Sequence, residues 1–200
     1  MDERDLARLI WRFMEDGERL KLIPRSGWWY YGIKDPESVA DHTYAVAVLT
    51  FVVASFLKRR GVPVDPYRAT VMALFHELGE SRIGDVHLEA RRYIPARELD
   101  EAERRAYEEV VGVLGEVGNE ILKMYGEFEG RESDEALVVR AADKLELLFQ
   151  ALIYERHGYR TLQPFWDTPQ NRRDFHHFPL LKALYEALAE MRTKDGEEPT

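Results

Sequence analysis

The chain has 200 residues, of which 45% are hydrophobic and 32% charged, and this predicts one globular domain with a sizeable core. A formal net charge of -9 predicts a surface that repels nucleic acids and anionic membranes, so neither is expected as a partner. The absence of cysteine excludes disulfides and thiolate metal sites.

The sequence shows no sign of export or membrane insertion. There is no N-terminal apolar run flanked by basic residues, and we expect no stretch near the roughly 18 apolar residues of a membrane span. The prediction is therefore a soluble, cytoplasmic protein. The 21 Arg against seven Lys, with two Asn and three Gln, are typical of a thermophile.

Helical periodicity runs through the chain and predicts an all-α fold, a single compact helical bundle. The predicted helices are 2–22, 38–60, 65–80, 97–124, 133–156 and 179–191. The segments 24–38 and 158–170 are rich in Gly, Pro and aromatic residues and predict loops, with Ser38 the predicted cap of the helix that follows the first. Residues 1–192 are predicted to form the domain and residues 193–200 a disordered tail.

Three predicted helices carry a polar residue on the side that faces the core. These residues are His42, His76 and Asp143. Each alone is more typical of a satisfied core residue than of a ligand. Burying all three unpaired would cost several kcal/mol, whereas one divalent cation would neutralise them together. Nitrogen and oxygen donors without sulfur suit Mn²⁺, Co²⁺, Ni²⁺, Fe²⁺ or Zn²⁺, and the sequence does not choose among them.

A carboxylate near these three residues could act as a general base. In a helix over residues 65–80, Glu80 lies one turn after His76 and projects to the same side, which is the geometry of a general base. Other readings of the neighbouring residues stay open at this point. Glu80 is also typical of a surface position at a helix end, Asp85 of a turn, Arg25 of a surface cation and Trp28 of loop packing.

The order His42, His76-Glu77, Asp143 resembles that of the HD-domain metal-dependent phosphohydrolases, whose ligands run His, His-Asp, Asp. The surrounding segments are similar to the 5′-deoxynucleotidase branch of that family, and the resemblance covers roughly residues 15–166. Those segments are RLKLIPRSGW (19–28), PESVADHTYAVA (36–47), ALFHELGESRIGD (73–85), SDEALVVRAADKLELLFQALIYE (133–155) and LQPFW (162–166).

The resemblance implies a role for individual residues. It implies four metal ligands, His42, His76, Glu77 and Asp143. It further implies Glu80 as the catalytic carboxylate, Asp85 as a second acidic active-site residue, Arg25 beside the substrate phosphate and Trp28 in sugar selection. Glu77 departs from the family's Asp and is one methylene longer.

The predicted function is hydrolysis of (deoxy)ribonucleoside 5′-monophosphates to nucleoside and phosphate, with one divalent metal ion. Two alternatives stay open: hydrolysis of another small phosphate ester or a nucleotide di- or triphosphate, and a catalytically weakened protein that binds nucleotide or metal. The resemblance also implies a homodimer. The aromatic-rich segments 28–31 and 165–166 are the predicted interface.

Overall fold

The computed structural model describes residues 1–197, with side chains through Asp195, and confirms the all-α fold. The α-helices are α1 (Glu3–Arg19), α2 (Ser26–Tyr30), α3 (Val39–Arg59), α4 (Pro66–Phe75), α5 (Glu80–Ile83), α6 (Leu88–Arg91), α7 (Ala96–Gly112), α8 (Glu116–Gly130), α9 (Asp134–Arg156), α10 (Gln163–Asp167) and α11 (Pro179–Glu197). Two 3₁₀ segments occur, at Leu20–Leu22 and Pro169–His176. Among the described residues, the single strand-like feature is an isolated bridge between Pro24 and Ser38.

The chain divides into two compact units. The first contains Met1–Tyr44 and Leu74–Gly130, and the second contains Ala45–Ala73 and Arg131–Thr200. Helix α3 contributes its opening turns to the first unit and the rest to the second, whereas α4 contributes only its last two residues to the first.

The helix starts follow the capping signals of the sequence. At α3, Ser38 Oγ accepts a hydrogen bond from the backbone N–H of Asp41 (3.1 Å), and Asp41 Oδ2 accepts one from the backbone N–H of Ser38 (2.9 Å). At α4, Asp65 Oδ1 accepts from the N–H of Tyr67 at 3.0 Å, with Pro66 at the first helical position. Both predicted starts are confirmed within one residue.

Several predicted boundaries differ from the structure. The predicted helix 97–124 is two helices, α7 and α8, because Gly115 between them has φ +61, a conformation that glycine adopts without strain. Helix α11 continues to Glu197, whereas the predicted helix ended at residue 191 and the predicted disordered tail comprised residues 193–200. An ion pair of 2.6 Å between Arg156 and Asp195 holds this last turn, and residues 198–200 lie outside the described residues.

The core of the first unit centres on Tyr107 of α7. Its ring stacks on Tyr125 of α8 with the centroids 3.7 Å apart, and its hydroxyl donates to the carbonyl of Phe75 at 3.1 Å. That bond satisfies a carbonyl at the end of α4, directly before His76. The buried members of this cluster are Leu20, Val39, Leu78, Tyr107, Val110, Val111 and Ile121.

The core of the second unit is built around α9, which packs against α10, α11 and the 3₁₀ segment. The buried residues of α9 are apolar apart from Asp143 and Glu146. Its fully buried residues are Ala136, Val138, Val139, Ala141, Ala142, Leu145, Leu148 and Ala151. Arg192 of α11 joins these elements, since it donates to both oxygens of Glu155 (2.8 and 2.7 Å) and lies over the ring of Trp166.

Helix α3 is long and apolar enough to meet the length and composition criteria of a membrane span. Its mean hydropathy reaches 1.5 over 18 residues, and 44% of that window is buried. The expectation that no stretch approaches this length was therefore wrong. The core helix of a soluble protein meets the same criteria, so the finding says nothing further about a membrane.

Candidate metal centre and active site

His76 lies just beyond the end of α4, in a turn that the sequence analysis missed. The turn is held by backbone hydrogen bonds to the third residue back, from Leu78 to Phe75 (3.3 Å) and from Glu80 to Glu77 (3.0 Å). Residues 65–80 are thus not one helix, and the argument that placed Glu80 one helical turn after His76 was wrong in its premise. Glu80 instead begins the separate short helix α5.

Gly79 lets this turn lie directly against α7. A Cβ atom added at Gly79 would stand 3.3 Å from the carbonyl oxygen of Glu103 and 3.6 Å from the Cβ of Tyr107. A larger residue would push the turn away from α7. Backbone packing, rather than helix propensity, therefore fixes the position of His76 and Glu77.

His42 occupies the first turn of α3 and is fully buried. Its N–H donates to the carbonyl of Ser38 at 3.1 Å, so the capping box formed by Ser38 and Asp41 fixes where the imidazole projects. The rings of His42 and His76 lie 5.7 Å apart, and the ring of Phe128 meets His76 edge-on at 5.6 Å. The two imidazoles therefore lie close together in the interior of the first unit.

Glu77 brings a carboxylate to both imidazoles. Its Oε1 lies 3.8 Å from Nε2 of His42 and 3.5 Å from Nε2 of His76. The candidate ligand atoms of these three residues all lie within 4.8 Å of one another. They are farther apart than the 2.7–3.2 Å of an N–H···O hydrogen bond, yet close enough for one ion to contact all three. Two imidazoles and a carboxylate, with no sulfur, fit a divalent transition metal.

Asp143, the fourth predicted ligand, belongs to the second unit. It lies in the middle of α9 with 5% of its surface exposed, and its Oδ2 pairs with Nζ of Lys144 at 2.9 Å. A carboxylate so buried requires a cation. The lysine supplies one positive charge at one of the two oxygens.

Arg25 stands against three carboxylates of the first unit. Its Nη1 lies 3.4 Å from Glu77 Oε1, 3.4 Å from Asp85 Oδ1 and 3.9 Å from Glu80 Oε1. The four side chains are only 11–18% exposed. The structure thus brings Arg25, Glu77, Glu80 and Asp85 together, so that three carboxyl groups share this guanidinium, with Arg91 a weaker positive influence on Glu80. This excess of negative charge favours binding of a further cation.

The surroundings of Glu80 shift its pKa. Burial raises its pKa well above the ordinary value, the nearby Glu77 raises it further, Arg25 opposes the rise and Asp85 adds to it. Its Oε2 is buried and receives no hydrogen bond from any residue that the structure describes. A raised carboxyl pKa and an accepting oxygen inside an acidic cluster are the properties of a general acid or base.

Backbone contacts hold Arg25 and Asp85 in place. Asp85 Oδ2 accepts from the N–H of Ser26 at 2.5 Å, and its carbonyl accepts from Ser26 Oγ at 2.6 Å. On the other side, the N–H of Arg25 donates to the carbonyl of Glu37 at 3.0 Å. The carboxylate of Asp85 therefore joins two segments 59 residues apart, which is more than a local turn requires.

Trp28 is buried, with 1% of its surface exposed, and its indole Nε1 donates to Glu37 Oε1 at 2.9 Å. Glu37 is a residue that the sequence analysis did not single out. The sequence feature that could have identified it is its position in the segment PESVADH, five residues before His42. Periodicity gave no reason to select it, because Glu37 lies outside α3.

Proteins of similar sequence carry one recurring name. A 5′-deoxynucleotidase HDDC2 from Dictyostelium discoideum is 36% identical over 174 residues, which cover 83% of this chain and 89% of that protein. The human protein of the same name is 30% identical, over 94% of this chain and 88% of its own length.

A solved structure and a family model agree with these relatives. The structure of a conserved hypothetical protein from Pyrococcus furiosus matches with a TM-score of 0.76 and 34% identity, over 90% of this chain and 98% of that one. The model of the HD domain matches residues 17–176. The resemblance drawn from the sequence is confirmed, and the chain belongs to the HD domain family.

Proposed function

We propose that this protein is a divalent-metal-dependent 5′-nucleotidase that converts deoxyribonucleoside 5′-monophosphates to nucleoside and phosphate. The observation that carries the proposal is that the imidazoles of His42 and His76 both face the carboxylate of Glu77. The same carboxylate contacts Arg25, which also lies near Glu80 and Asp85. The relatives named 5′-deoxynucleotidase, which align with most of this chain, support the same activity. The HD domain supports a metal-dependent hydrolase.

In this proposal His42, His76, Glu77 and Asp143 hold one ion. The first three lie together in the first unit, and Asp143 is assigned because it follows them in the family's ligand order. When bound, a divalent cation lowers the pKa of a coordinated water and offsets the charge of a phosphate. Mn²⁺, Co²⁺, Ni²⁺, Fe²⁺ and Zn²⁺ all suit the donors.

Glu80 acts as the general base. Its carboxylate takes a proton from the water that attacks phosphorus, and its raised pKa makes it a better acceptor than an ordinary glutamate. The P–O bond to the 5′-oxygen then breaks, and Asp85 orients the groups near that leaving oxygen. General-base catalysis of this kind contributes about 10²–10⁴-fold.

Arg25 binds the non-bridging phosphate oxygens through charge-assisted hydrogen bonds. In the structure its guanidinium lies 3.4–3.9 Å from three carboxylates, and on substrate binding contacts to the phosphate replace some of these. The assignment of Trp28 to sugar selection stays a prediction. Because the ring is buried, a substrate would contact it only after the segment around it shifts.

A substrate panel tests the proposed function. Metal-stripped protein is resupplied separately with Mn²⁺, Co²⁺, Ni²⁺, Zn²⁺ and Mg²⁺, and phosphate release is measured from deoxy- and ribonucleoside 5′-monophosphates. We expect a transition metal to restore turnover, with deoxy substrates preferred, and His76→Ala to abolish it. Persistent metal-stimulated turnover in His76→Ala would contradict the proposed site. Release from di- or triphosphates alone would contradict the proposed substrate class.

We further propose that the protein is a cytoplasmic homodimer. In the predicted interface segments, Trp28 and Trp166 are buried within the chain, whereas Trp29 and Tyr30 are 52% and 57% exposed, so the segment 28–31 stays a predicted interface. In the second unit, α3 and α4 present a larger set of adjoining apolar side chains, and the rings of Phe51 and Tyr67 join the two rows at 5.6 Å. The residues, 39–72% exposed, are Val48, Phe51, Val52, Phe56, Tyr67 and Val71.

The size of this α3/α4 face favours a second copy of the chain as its occupant. Given 150–250 Å² for a whole aromatic side chain, the face exposes on the order of 500 Å² of apolar surface. That is near the upper end for a monomer, and more than half of the roughly 800 Å² that each partner buries in a standard interface. Light scattering should show a dimer that Phe56→Glu dissociates and that Trp11→Glu, at an exposed position on α1, leaves intact. A monomeric wild-type protein would contradict the proposal.

A further inference from the structure

Glu37 connects two parts of the site. Its Oε1 accepts a hydrogen bond from Trp28 Nε1 at 2.9 Å, and its backbone carbonyl accepts from the N–H of Arg25 at 3.0 Å. On the other side, a carboxylate oxygen of Glu37 lies within 4.8 Å of a ring nitrogen of His42. One half-buried carboxylate thus contacts the segment that carries Arg25 and approaches an imidazole that faces Glu77.

The two nitrogens of His42 have different surroundings. Nε2 faces Glu77 at 3.8 Å and is the atom available to a metal ion. A ring nitrogen that binds metal must present its lone pair, so the proton of the neutral imidazole must be on Nδ1. Because His42 is fully buried, a nearby acceptor is needed to hold that proton.

We propose that Glu37 is a positioning residue for His42: its carboxylate holds the imidazole as the Nδ1–H tautomer, with the Nε2 lone pair directed toward Glu77. In this arrangement one carboxylate oxygen of Glu37 accepts a hydrogen bond from the indole N–H of Trp28, and the other accepts one from Nδ1–H of His42. The separation within 4.8 Å is one that a small side-chain rotation or a single bridging water closes. The inference rests on the proposed function only in taking His42 as a metal ligand.

The backbone keeps this arrangement rigid. The bridge between Pro24 and Ser38 and the hydrogen bond from the N–H of Val39 to the carbonyl of Ile23, at 2.8 Å, join residues 23–24 to residues 38–39, directly after Glu37. Glu37 therefore has little freedom to leave His42, and a shift of the segment that carries Arg25 is transmitted to the imidazole.

The variant Glu37→Gln tests the proposal, because an amide keeps the shape of the side chain but has one acceptor oxygen in place of two. It can satisfy Trp28 or His42 but not both. We expect the dissociation constant for Co²⁺, measured by absorption titration of metal-stripped protein, to rise about 10–100-fold, the usual effect of losing such a partner. Asp16→Asn is the matched control, since Asp16 is a buried carboxylate that pairs with Arg19 and Arg82. It should lower the melting temperature and leave Co²⁺ affinity unchanged.

Histidine nitrogen shifts provide a second measurement that needs neither activity nor a variant. In ¹⁵N-labelled, metal-free wild-type protein, the neutral ring of His42 should carry its proton on Nδ1. The Nε2–H tautomer would overturn the proposal, and so would a folded Glu37→Gln protein that binds Co²⁺ as tightly as the wild type. Absence of nucleotidase activity in a protein that binds Co²⁺ normally would refute the proposed function and leave this inference standing.

Discussion

Replacing Arg25 with glutamine should destabilise the metal-free protein far more than an ordinary surface substitution. Arg25 Nη1 is the cation that faces Glu77, Glu80 and Asp85 at 3.4, 3.9 and 3.4 Å. Removing one partner of a buried ion pair costs roughly 3–5 kcal/mol. Because these contacts are long and the side chains keep 11–18% exposure, about 2–4 kcal/mol is the better expectation here. At roughly 2–4 °C per kcal/mol for a chain of this size, the melting temperature should fall by about 4–16 °C.

The assay is thermal unfolding in the presence of a chelator, and Arg8→Gln is the matched control. Arg8 lies 3.4 Å from Asp5, the same distance as Arg25 from Glu77, but its side chain is 77% exposed against 12%. Exposed pairs contribute only about 0–1 kcal/mol, so this control should change little. Equal, small shifts in the two variants would refute the argument that Arg25 offsets a buried excess of negative charge.

Metal and substrate should separate the two roles of Arg25. Saturating Mn²⁺ or Co²⁺ offsets the carboxylates, so the stability lost in Arg25→Gln should shrink. The contacts to phosphate are not restored, and a charged hydrogen bond is worth roughly 1.5–3 kcal/mol, so kcat/KM should stay about 10–150-fold below wild type. Full recovery of kcat/KM with metal would show that Arg25 does not touch the substrate.

Three further outcomes follow from the geometry. In metal-free protein, Glu80→Gln should be more stable than wild type above the raised folded pKa of Glu80. The difference in melting temperature should shrink as the pH falls from that pKa toward the ordinary pKa of glutamate, and it should vanish below the ordinary value. Glu77→Asp restores the family's residue but withdraws the carboxylate by about 1.5 Å, so the affinity for Co²⁺ should fall about tenfold or more. Tighter Co²⁺ binding by this variant would instead favour the alternative that Glu77 has weakened the site. In Gly79→Ala the new Cβ would meet the carbonyl oxygen of Glu103 at 3.3 Å, so the free energy of unfolding, measured with denaturant, should fall by about 1–3 kcal/mol. In the control Gly17→Ala, in α1, the new Cβ meets nothing within 4 Å, so this variant should be more stable than the wild type.

The features that depend on strong local signals were predictable from the sequence. The starts of α3 and α4 follow from Ser38 with Asp41 and from Asp65 with Pro66, whose capping chemistry acts over three residues. The central position of α9 follows from its apolar residues, which fill all of its buried positions except Asp143 and Glu146. His42, His76 and Asp143 were selected because burying them would require a shared cation, whereas Glu77, Glu80 and Asp85 received their roles through the family resemblance.

Features that depend on tertiary packing were not predictable. The turn after Phe75 forms where helical spacing continues in the sequence, because Tyr107 caps the last carbonyl and Gly79 packs on α7. Trp28 was assigned to sugar selection through the family resemblance, whereas in the structure its indole N–H donates a hydrogen bond to Glu37. The exposure of Val52 and Phe56 on α3 was not predictable either, since an apolar stripe has the same period whether it is buried or exposed.

The most direct test of the account is phosphate release from dAMP by metal-stripped protein resupplied with Co²⁺, compared with Glu80→Gln at the same measured metal occupancy. The account predicts that Co²⁺ restores turnover in the wild type and that Glu80→Gln binds the ion but releases phosphate about 10²–10⁴-fold more slowly. Equal rates in the two proteins, or no turnover in a wild-type protein with its metal bound, would contradict it.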